Sequence, residues 1–252
     1  GVRPSLAVVL VGTDEASKIY VNLKEKAAQK VGIEFRRIEM DEKVSQEEVL
    51  SKLSELNADA NVDGIIVQLP LPSHLDKIKI IQAIDPKKDV DGFHEENIEL
   101  FFAGQERFFP VFPKALWELL KSTEEDLKNK KATIICNSQE FGKTMQAVLK
   151  KESIPAQYFF SDDVEDGMVD LSEADIVIVA CGKPNLVKGE MLKDGAIVID
   201  GGITRVGDKV VGDVDASSVQ NLNGYLSPVP GGVGPVTIAC LLRNVYLASK
   251  RA

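Results

Sequence analysis

The stretch KATIICNSQEFGKTMQAVLKK (residues 131–151) has the pattern of a buried strand, a turn and a helix in succession. Further apolar strands are predicted at 156–161, 174–184 and 195–203. Strands that alternate with helices pair in parallel, because the crossover helix returns the chain to the same edge of the sheet. This half of the chain is therefore predicted to form a doubly wound, Rossmann-like domain that binds its ligand at the carboxyl ends of the strands.

The first half of the chain shows the same alternation. Strands are predicted at 5–12, 34–40 and 62–72, and helices at 17–31 and 45–58. Residues 84–104 are rich in Pro, Gly and acids and are predicted to be a loop, after which a proline-bracketed turn leads into a helix within 108–124. The last helix is predicted over 234–250. We expect an α/β protein whose domain boundary lies near residue 113.

The bulk composition excludes several classes of protein. The 252 residues are 44% hydrophobic and 27% charged, which is typical of a globular protein large enough for two domains. A net charge of −9 argues against broad nucleic-acid binding. Three widely spaced cysteines indicate a reducing compartment. No apolar run suggests a membrane span or a signal peptide, and two histidines, His74 and His94, make a poor metal site.

The helix predicted over 17–31 carries a charge on its apolar side. Five residues share one arc at the helical step of about 100° per residue; they are Tyr20, Leu23, Ala27, Ala28 and Val31. Lys24 falls within this arc. Its stem could pack along the apolar surface while its ammonium reaches water. Alternatively, burial lowers the pKa of Lys24 so that the amine can transfer protons. The helix alone leaves both hypotheses open.

Three other segments have candidate functional residues. VQLPLP (67–72) places Gln68 near the end of a buried strand, where it either caps a turn or serves a site. KDVDGFH (88–94) is either an ordinary Asx-turn or a source of a carboxylate that anchors a polar ring, and its ligand set is too small for calcium. SPVPGGVGPVT (227–237) puts glycines before a helix start, which favours ligand binding.

These motifs together resemble those of the methylenetetrahydrofolate dehydrogenase/cyclohydrolase family. The resemblance runs in order from about residue 4 to residue 245 and rests on YVNLK, VQLPLP, KDVDGFH, GKP, GAIVIDGGI, GDVD and PVPGGVGPVT. It implies a folate-binding catalytic domain (1–113 plus 235–252) and a Rossmann-like cofactor-binding domain (114–234), with a cleft between them. The family has a further helix before the position of residue 1, so we expect this chain to be N-terminally short.

The resemblance also implies roles for individual residues. Lys24 matches the key catalytic lysine, Tyr20 the tyrosine that stacks on the folate, Gln68 the glutamine that works with the lysine, and Asp91 the aspartate that holds the pterin ring. Further substrate-binding residues are implied at Leu69, Pro70, Gly231, Gly232 and Pro235, and the glycine-rich segment lines the cleft between the domains. Cofactor-binding residues are implied at Asn137, Ser138, Gly142, Ser161, Cys181, Gly182, Gly202, Ile203, Gly234 and Thr237.

The implied activity belongs to one-carbon metabolism and purine biosynthesis. The enzyme oxidises 5,10-methylenetetrahydrofolate with NAD or NADP, and it hydrolyses the methenyl product to 10-formyltetrahydrofolate. We expect a cytoplasmic homodimer that needs no metal, no nucleic acid and no membrane. A dinucleotide dehydrogenase outside the folate family is disfavoured, because no G-x-G-x-x-G follows the strand at 131–136.

The sequence departs from the family at the cofactor turn. The family pattern G-R-S-x-x-V-G-x-P reads CNSQEFGKT here, so Cys136 replaces a glycine and Asn137 replaces the arginine that meets the cofactor's phosphates. Cys136 adds a side chain where the backbone should approach the cofactor closely. The next strand is followed by Asp162 and Asp163, which would repel a 2′-phosphate but suit the free ribose hydroxyl of NAD. NADP, the usual cofactor of the family, is therefore disfavoured; NAD is possible, and weak or absent cofactor binding stays open. Two alternatives stay open: a cyclohydrolase that has lost the redox step, and a non-catalytic folate-binding protein.

Overall fold

The computed structural model describes residues 3–207 and 209–250. The chain divides into two compact units, with the divisions after Val111 and after Thr237. The first unit contains the start and the end of the chain, and the second contains the residues between the two divisions. The domain limits expected from the sequence, after residues 113 and 234, stay predictions.

The first unit is built on a small parallel sheet. Its elements are β1 (Ser5–Val11), α1 (Glu15–Lys30), β2 (Glu34–Met40), α2 (Gln46–Ala58), β3 (Gly64–Val67), α3 (Lys77–Gln82) and α4 (Glu95–Phe102). The strand order is β2-β1-β3, and the fully buried β1 pairs Leu6 with both Phe35 and Gly64. Burial on both faces explains why β1 is a continuous apolar run rather than an alternating one. Two helices begin beside the divisions: α5 (Val111–Lys121) and α8 (Val233–Ser249).

The second unit is the doubly wound domain that the sequence predicts. Its elements are β4 (Ala132–Cys136), α6 (Gln139–Lys151), β5 (Ala156–Phe160), α7 (Ser161–Glu165), β6 (Ile176–Ala180), β7 (Ile197–Asp200), β8 (Thr204–Val206), β9 (Lys209–Val211) and β10 (Tyr225–Leu226), with a 3₁₀ turn at Gly189–Met191. The parallel sheet has the order β10-β7-β6-β4-β5. The order reverses between β4 and β6, and ligands of such sheets bind at the carboxyl ends beside this switch point.

One part of the expected secondary structure is wrong, and several short elements were not expected, among them α3, α7 and β10. The segment 84–104, expected to be a loop, contains α4, which begins after His94 because the His94 ring accepts a hydrogen bond from the backbone N–H of Glu96. The antiparallel hairpin β8–β9 was not expected, because its three-residue strands are too short to show a pattern. No helix among residues 3–207 and 209–250 is long and apolar enough to cross a bilayer.

Candidate active site

Lys24 lies in the middle of the buried face of α1. That face is formed by Ser17, Val21 and Ala28, which are one or two turns away from Lys24 on the same side of the helix. The apolar arc expected from the sequence is partly wrong, because Leu23 is 46% exposed and Val31 is 63% exposed. Lys24 therefore lies at the centre of the face of α1 that packs inward.

The Lys24 amine is held by Gln68, which follows the carboxyl end of β3. Lys24 Nζ donates to Gln68 Oε1 over 2.8 Å, and Gln68 Nε2 donates to the backbone oxygen of Leu69 over 2.6 Å. The second bond fixes which way the amide faces, so its oxygen is presented to the amine. Burial lowers the pKa of Lys24, and the charge of Asp91 opposes part of that shift. The hypothesis of a lysine that merely reaches into water does not describe this geometry.

Asp91 is the carboxylate of the site. Burial raises its pKa to about 6, while the charge of Lys24 lowers it and the charge of Asp89 raises it. The Asp91 side chain makes no hydrogen bond to the residues of the described ranges. Both of its oxygens can therefore accept from the N–H groups of a ligand.

The other residues expected to bind substrate in the first unit lie beside this group. Tyr20 is one turn before Lys24 on α1, is half-buried, and has a pKa raised by burial. Leu69 is joined to Pro70 by a cis peptide bond, directly after Gln68. The structure thus brings together Lys24 and Gln68 by a direct bond and Asp91 by its charge, with Tyr20, Leu69 and Pro70 at neighbouring positions.

The switch point of the second unit is spanned by a side chain. Cys136 and Ala180 are paired at the ends of β4 and β6, and just beyond them Asn137 Nδ2 donates to the backbone oxygen of Cys181 over 3.1 Å. On the β6 side, the backbone N–H groups of Cys181 and Gly182 both donate to Asp213 Oδ2, at 2.7 and 3.0 Å. These contacts hold the two turns that border the place where such folds bind a nucleotide.

The sequence predicts a Cys136 side chain where the backbone should approach the cofactor, and in the structure this side chain is buried. The residue is only 1% exposed, and its Sγ lies 3.4 Å from the backbone oxygen of Ser138 and 3.6 Å from that of Phe159. A side chain on Gly142 would meet Tyr158 at 2.7 Å and the Cys136 sulfur at 3.1 Å. The glycine therefore leaves room for the buried thiol, which packs against the first turn of α6.

The carboxyl end of β5 carries a charged group. Lys183 Nζ forms ion pairs with Asp162 at 2.7 Å and with Glu165 at 2.8 Å. Asp163 accepts from the backbone N–H of Phe160, and Ser161 is buried at the start of α7. With two carboxylates and one ammonium, the Asp162–Glu165–Lys183 group has a net charge of −1.

The remaining residues expected to bind cofactor or substrate lie in loops of the second unit and at the start of α8. The Ser138 side chain caps α6, the Gly202 N–H donates to Asp200 Oδ1, and Ile203 is exposed. Gly231 has a φ of +108°, and the Gly232 N–H donates to the backbone oxygen of Pro228. The first turns of α8 contain the last three of these residues, Gly234, Pro235 and Thr237. The expected cleft between the domains stays a prediction.

Two buried acids of these loops were not singled out from the sequence. Asp89 is the first acid of the DVDG motif, and Asp213 belongs to GDVD; both accept backbone hydrogen bonds at the edge of the sites described above. The signal available was an acid directly followed by a buried valine, Val90 after Asp89 and Val214 after Asp213. The two histidines have structural contacts: the His74 ring bonds with the backbone oxygen of Val44, and His94 caps α4.

Comparison with known families matches both units. Residues 1–91 match the tetrahydrofolate dehydrogenase/cyclohydrolase catalytic domain, and residues 110–252 match the NAD(P)-binding domain of the same enzymes. The bifunctional protein FolD of a Nitratiruptor species is 44% identical over 250 residues, which cover 98% of this chain and 88% of that protein.

Solved structures agree with the sequence relatives. The crystal structure of the bifunctional enzyme FolD from Campylobacter jejuni has a TM-score of 0.91 at 41% identity and covers 100% of this chain and 90% of that one. The Trypanosoma brucei FolD structure, a complex with NADP cofactor and inhibitor, has a TM-score of 0.93 at 33% identity and covers 99% and 87%. The chain belongs to the tetrahydrofolate dehydrogenase/cyclohydrolase family.

Proposed function

We propose that Lys24, held by Gln68, transfers the protons of the cyclohydrolase step, and that Asp91 and Tyr20 hold the folate. The chain is a bifunctional methylenetetrahydrofolate dehydrogenase and methenyltetrahydrofolate cyclohydrolase that uses NAD or NADP. The relatives give no support to a cyclohydrolase without the redox step or to a non-catalytic folate-binding protein. A homodimer in the cytoplasm that supplies purine biosynthesis is part of the proposal. The observation that carries it is the 2.8 Å bond between the buried Lys24 amine and Gln68.

In the proposed hydrolysis, the Lys24 amine first accepts a proton and then donates it. Water attacks the methenyl carbon, and neutral Lys24 Nζ accepts the proton as the new C–O bond forms. The ring then opens by cleavage of one C–N bond. The Lys24 ammonium returns its proton to the departing nitrogen, and the hydroxyl group loses its own proton to solvent as the formyl C=O bond forms. A lysine with its ordinary pKa is too rarely neutral near pH 7 for the first step, so the pKa lowered by burial suits this task.

The second unit fits a dinucleotide. Parallel strands end beside a switch point, α6 starts there with a capped first turn, and Gly182 has open space around its α-carbon. Bound NAD(P)⁺ supplies the hydride acceptor for the oxidation. The role of this chain in that step is to position the folate, because hydride transfer needs alignment rather than an acid or a base.

Direct assays of both activities test this function. One assay follows hydrolysis of methenyltetrahydrofolate without cofactor, and the other follows oxidation of methylenetetrahydrofolate with NAD and with NADP in turn. We expect both activities. Hydrolysis without oxidation by either cofactor would support loss of the redox half, and absence of hydrolysis would contradict the role proposed for Lys24.

We propose further that NAD is the preferred cofactor. Asn137 stands where the family has an arginine, and the net charge of −1 on the Asp162–Glu165–Lys183 group disfavours a 2′-phosphate beside β5. An acid after this strand can instead accept a hydrogen bond from the free ribose hydroxyl. We expect kcat/KM to be at least about tenfold higher with NAD than with NADP.

Asp162→Asn should reduce the preference for NAD over NADP. The change leaves Lys183 paired only with Glu165, so the local charge becomes neutral and the 2′-phosphate is repelled less. We expect kcat/KM with NADP to rise severalfold without a similar rise for NAD. Asp166→Asn, which removes an exposed acid at the end of α7, is the matched control. An equal change with both cofactors would contradict the assignment.

Gln68→Glu tests the contact that holds Lys24. A carboxylate in place of the amide stabilises the ammonium, so the pKa of Lys24 rises and fewer amines are neutral at pH 7. We expect cyclohydrolase kcat at pH 7 to fall by about tenfold and to recover as the pH increases. Gln46→Glu makes the same change where the side chain caps a distant backbone N–H, and it should leave the pH profile in place. A uniform loss at every pH would argue against this account.

A further inference from the structure

Asp89 is buried two residues before Asp91 and lies at the centre of a hydrogen-bond network. It is 1% exposed, and its two oxygens meet three N–H donors. Gly92 N–H donates to Oδ1 over 3.2 Å, and Oδ2 accepts from His94 N–H over 2.7 Å and from Asn97 Nδ2 over 2.9 Å. The Asp89 carboxylate therefore holds residues 92, 94 and 97 by hydrogen bonds, and Asp91 lies within this segment.

A second layer of contacts holds the partners of Asp89. The side chain of Asn97 is fixed by a bond from Arg107 Nη1 to its Oδ1 over 2.9 Å, and Arg107 is itself paired with Glu96. Asn97 Nδ2 also donates to the backbone oxygen of Pro86 over 2.8 Å. With both ends of its amide engaged, Asn97 can only present its N–H₂ group to Asp89.

The backbone beside Asp91 is held as firmly. The backbone oxygen of Asp91 accepts from Val111 N–H over 3.0 Å, and Asn244 Nδ2 donates to the backbone oxygen of Val90 over 2.9 Å. Gly92 has a φ of +76° and packs against Pro110, where a side chain would lie 3.1 Å from the backbone. The Asp91 carboxylate thus has no hydrogen-bond partner among the described residues, while the backbone on both sides of it is held.

We propose that Asp89 is a positioning residue of the folate site, whose buried carboxylate fixes the loop that presents Asp91. It acts through Asp91 and need not touch the substrate. The inference rests on the role proposed above for Asp91. It adds that an acid beside the site, and not only the acid in it, sets how Asp91 binds the pterin.

The charges around Asp91 define a second effect of Asp89. Lys24 faces Asp91 from α1, and Asp89 faces it from its own loop. His94 acts on Asp89 by its charge, and Arg107 is linked to Asp89 through Asn97. The charge of Asp89 is one of the causes that raise the pKa of Asp91, after burial. Removing that charge lets Asp91 stay ionised at lower pH.

Asp89→Asn tests both effects. An amide has one acceptor oxygen for three N–H donors, so at least one bond of the loop is lost. We expect KM for methenyltetrahydrofolate to rise about fivefold or more with little change in kcat. We also expect a shift in the acid limb of the pH profile, which is the fall of kcat/KM on its acidic side. This limb should move to lower pH. Asp85→Asn is the control: it makes the same change in the same segment, at a residue whose side chain accepts from the Lys87 backbone N–H and does not contact Asp89 or Asp91 by a hydrogen bond, and it should do neither.

Asn97→Ala separates the positioning of Asp91 from the effect of the Asp89 charge. It also tests the proposal if Asp89→Asn does not fold. It removes one donor to Asp89 but keeps the charge, so KM should rise while the acid limb does not move to lower pH. The thermal midpoint of each variant is measured in parallel, because a purely structural role would lower it without moving the limb.

The outcomes that overturn the proposal are distinct from failure of the Asp91 assignment. A wild-type acid limb near pH 6 that Asp89→Asn leaves in place, with an unchanged KM, would contradict the role of Asp89 alone. A wild-type profile with no acid limb in that range would contradict the role of Asp91 as well. In that case Asp89 would have nothing to position.

Discussion

Lys24→Met should lower cyclohydrolase kcat by about 10²- to 10⁴-fold, the range expected for loss of a group that transfers protons. Methionine keeps the length and apolar character of the stem, so the inner face of α1 stays filled. Oxidation of methylenetetrahydrofolate should fall far less, because that step needs positioning rather than proton transfer. The measurement is the ratio of the two activities in one preparation.

Lys26→Met is the matched control for this variant. Lys26 lies on the same helix and is exposed, so the change removes an equal charge without touching the buried face. We expect both activities to stay near those of the wild type. Equal losses of hydrolysis and oxidation in Lys24→Met would contradict a proton-transfer role and would favour a role in binding only.

Asp91→Asn should raise KM for both folate substrates by about 10- to 100-fold. A carboxylate accepts two N–H bonds from a pterin edge, whereas an amide accepts at one oxygen and opposes the other donor with its own N–H₂ group. Loss of a charge-assisted bond of this kind costs about 1.5–3 kcal/mol. Because both activities use the same ring, their KM values should rise together, and Asp85→Asn should raise neither.

The same variant should be more stable than the wild type at high pH. In the folded protein the pKa of Asp91 is about 6, above its ordinary value, so protonation favours the folded state. The stability that comes from protonating Asp91 is fully present below about pH 4 and is lost as the pH rises through about 6. Asparagine removes the dependence, so we expect a thermal midpoint about 2–4 °C higher at pH 8 and no gain near pH 4. A lower thermal midpoint of Asp91→Asn at pH 8 would contradict the expectation that the charged Asp91 side chain destabilises the folded state.

The strands could be predicted from the sequence because burial on both faces leaves an unbroken apolar run, as in β1 and β6. Helix α4 was missed because Pro, Gly and acids dominate the preceding residues and its cap is a histidine rather than Ser, Thr, Asp or Asn. The exposed side of α1 was misjudged at Leu23 and Val31. Periodicity ranks the faces of a helix by apolar content, whereas packing buries the face that meets the sheet.

The candidate site could be predicted only as far as its individual residues. Lys24 and Gln68 were identified by motif, but the orientation of the amide depends on the Leu69 backbone oxygen, which no pattern shows. The inward turn of Cys136 depends on the space left by Gly142, one turn into the next helix. The network around Asp89 joins residues up to 11 positions apart through side chains, so it becomes visible only in the folded loop.

Direct titration of Lys24 tests the central claim of this account. The protein is labelled with carbon-13 at the ε position of lysine, the Lys24 signal is assigned by its loss in Lys24→Met, and its shift is followed by NMR as the pH increases. We predict that Lys24 titrates well below the other lysines, because burial lowers its pKa. A Lys24 signal that titrates with the exposed lysines would contradict its role as the proton-transfer group of the hydrolysis.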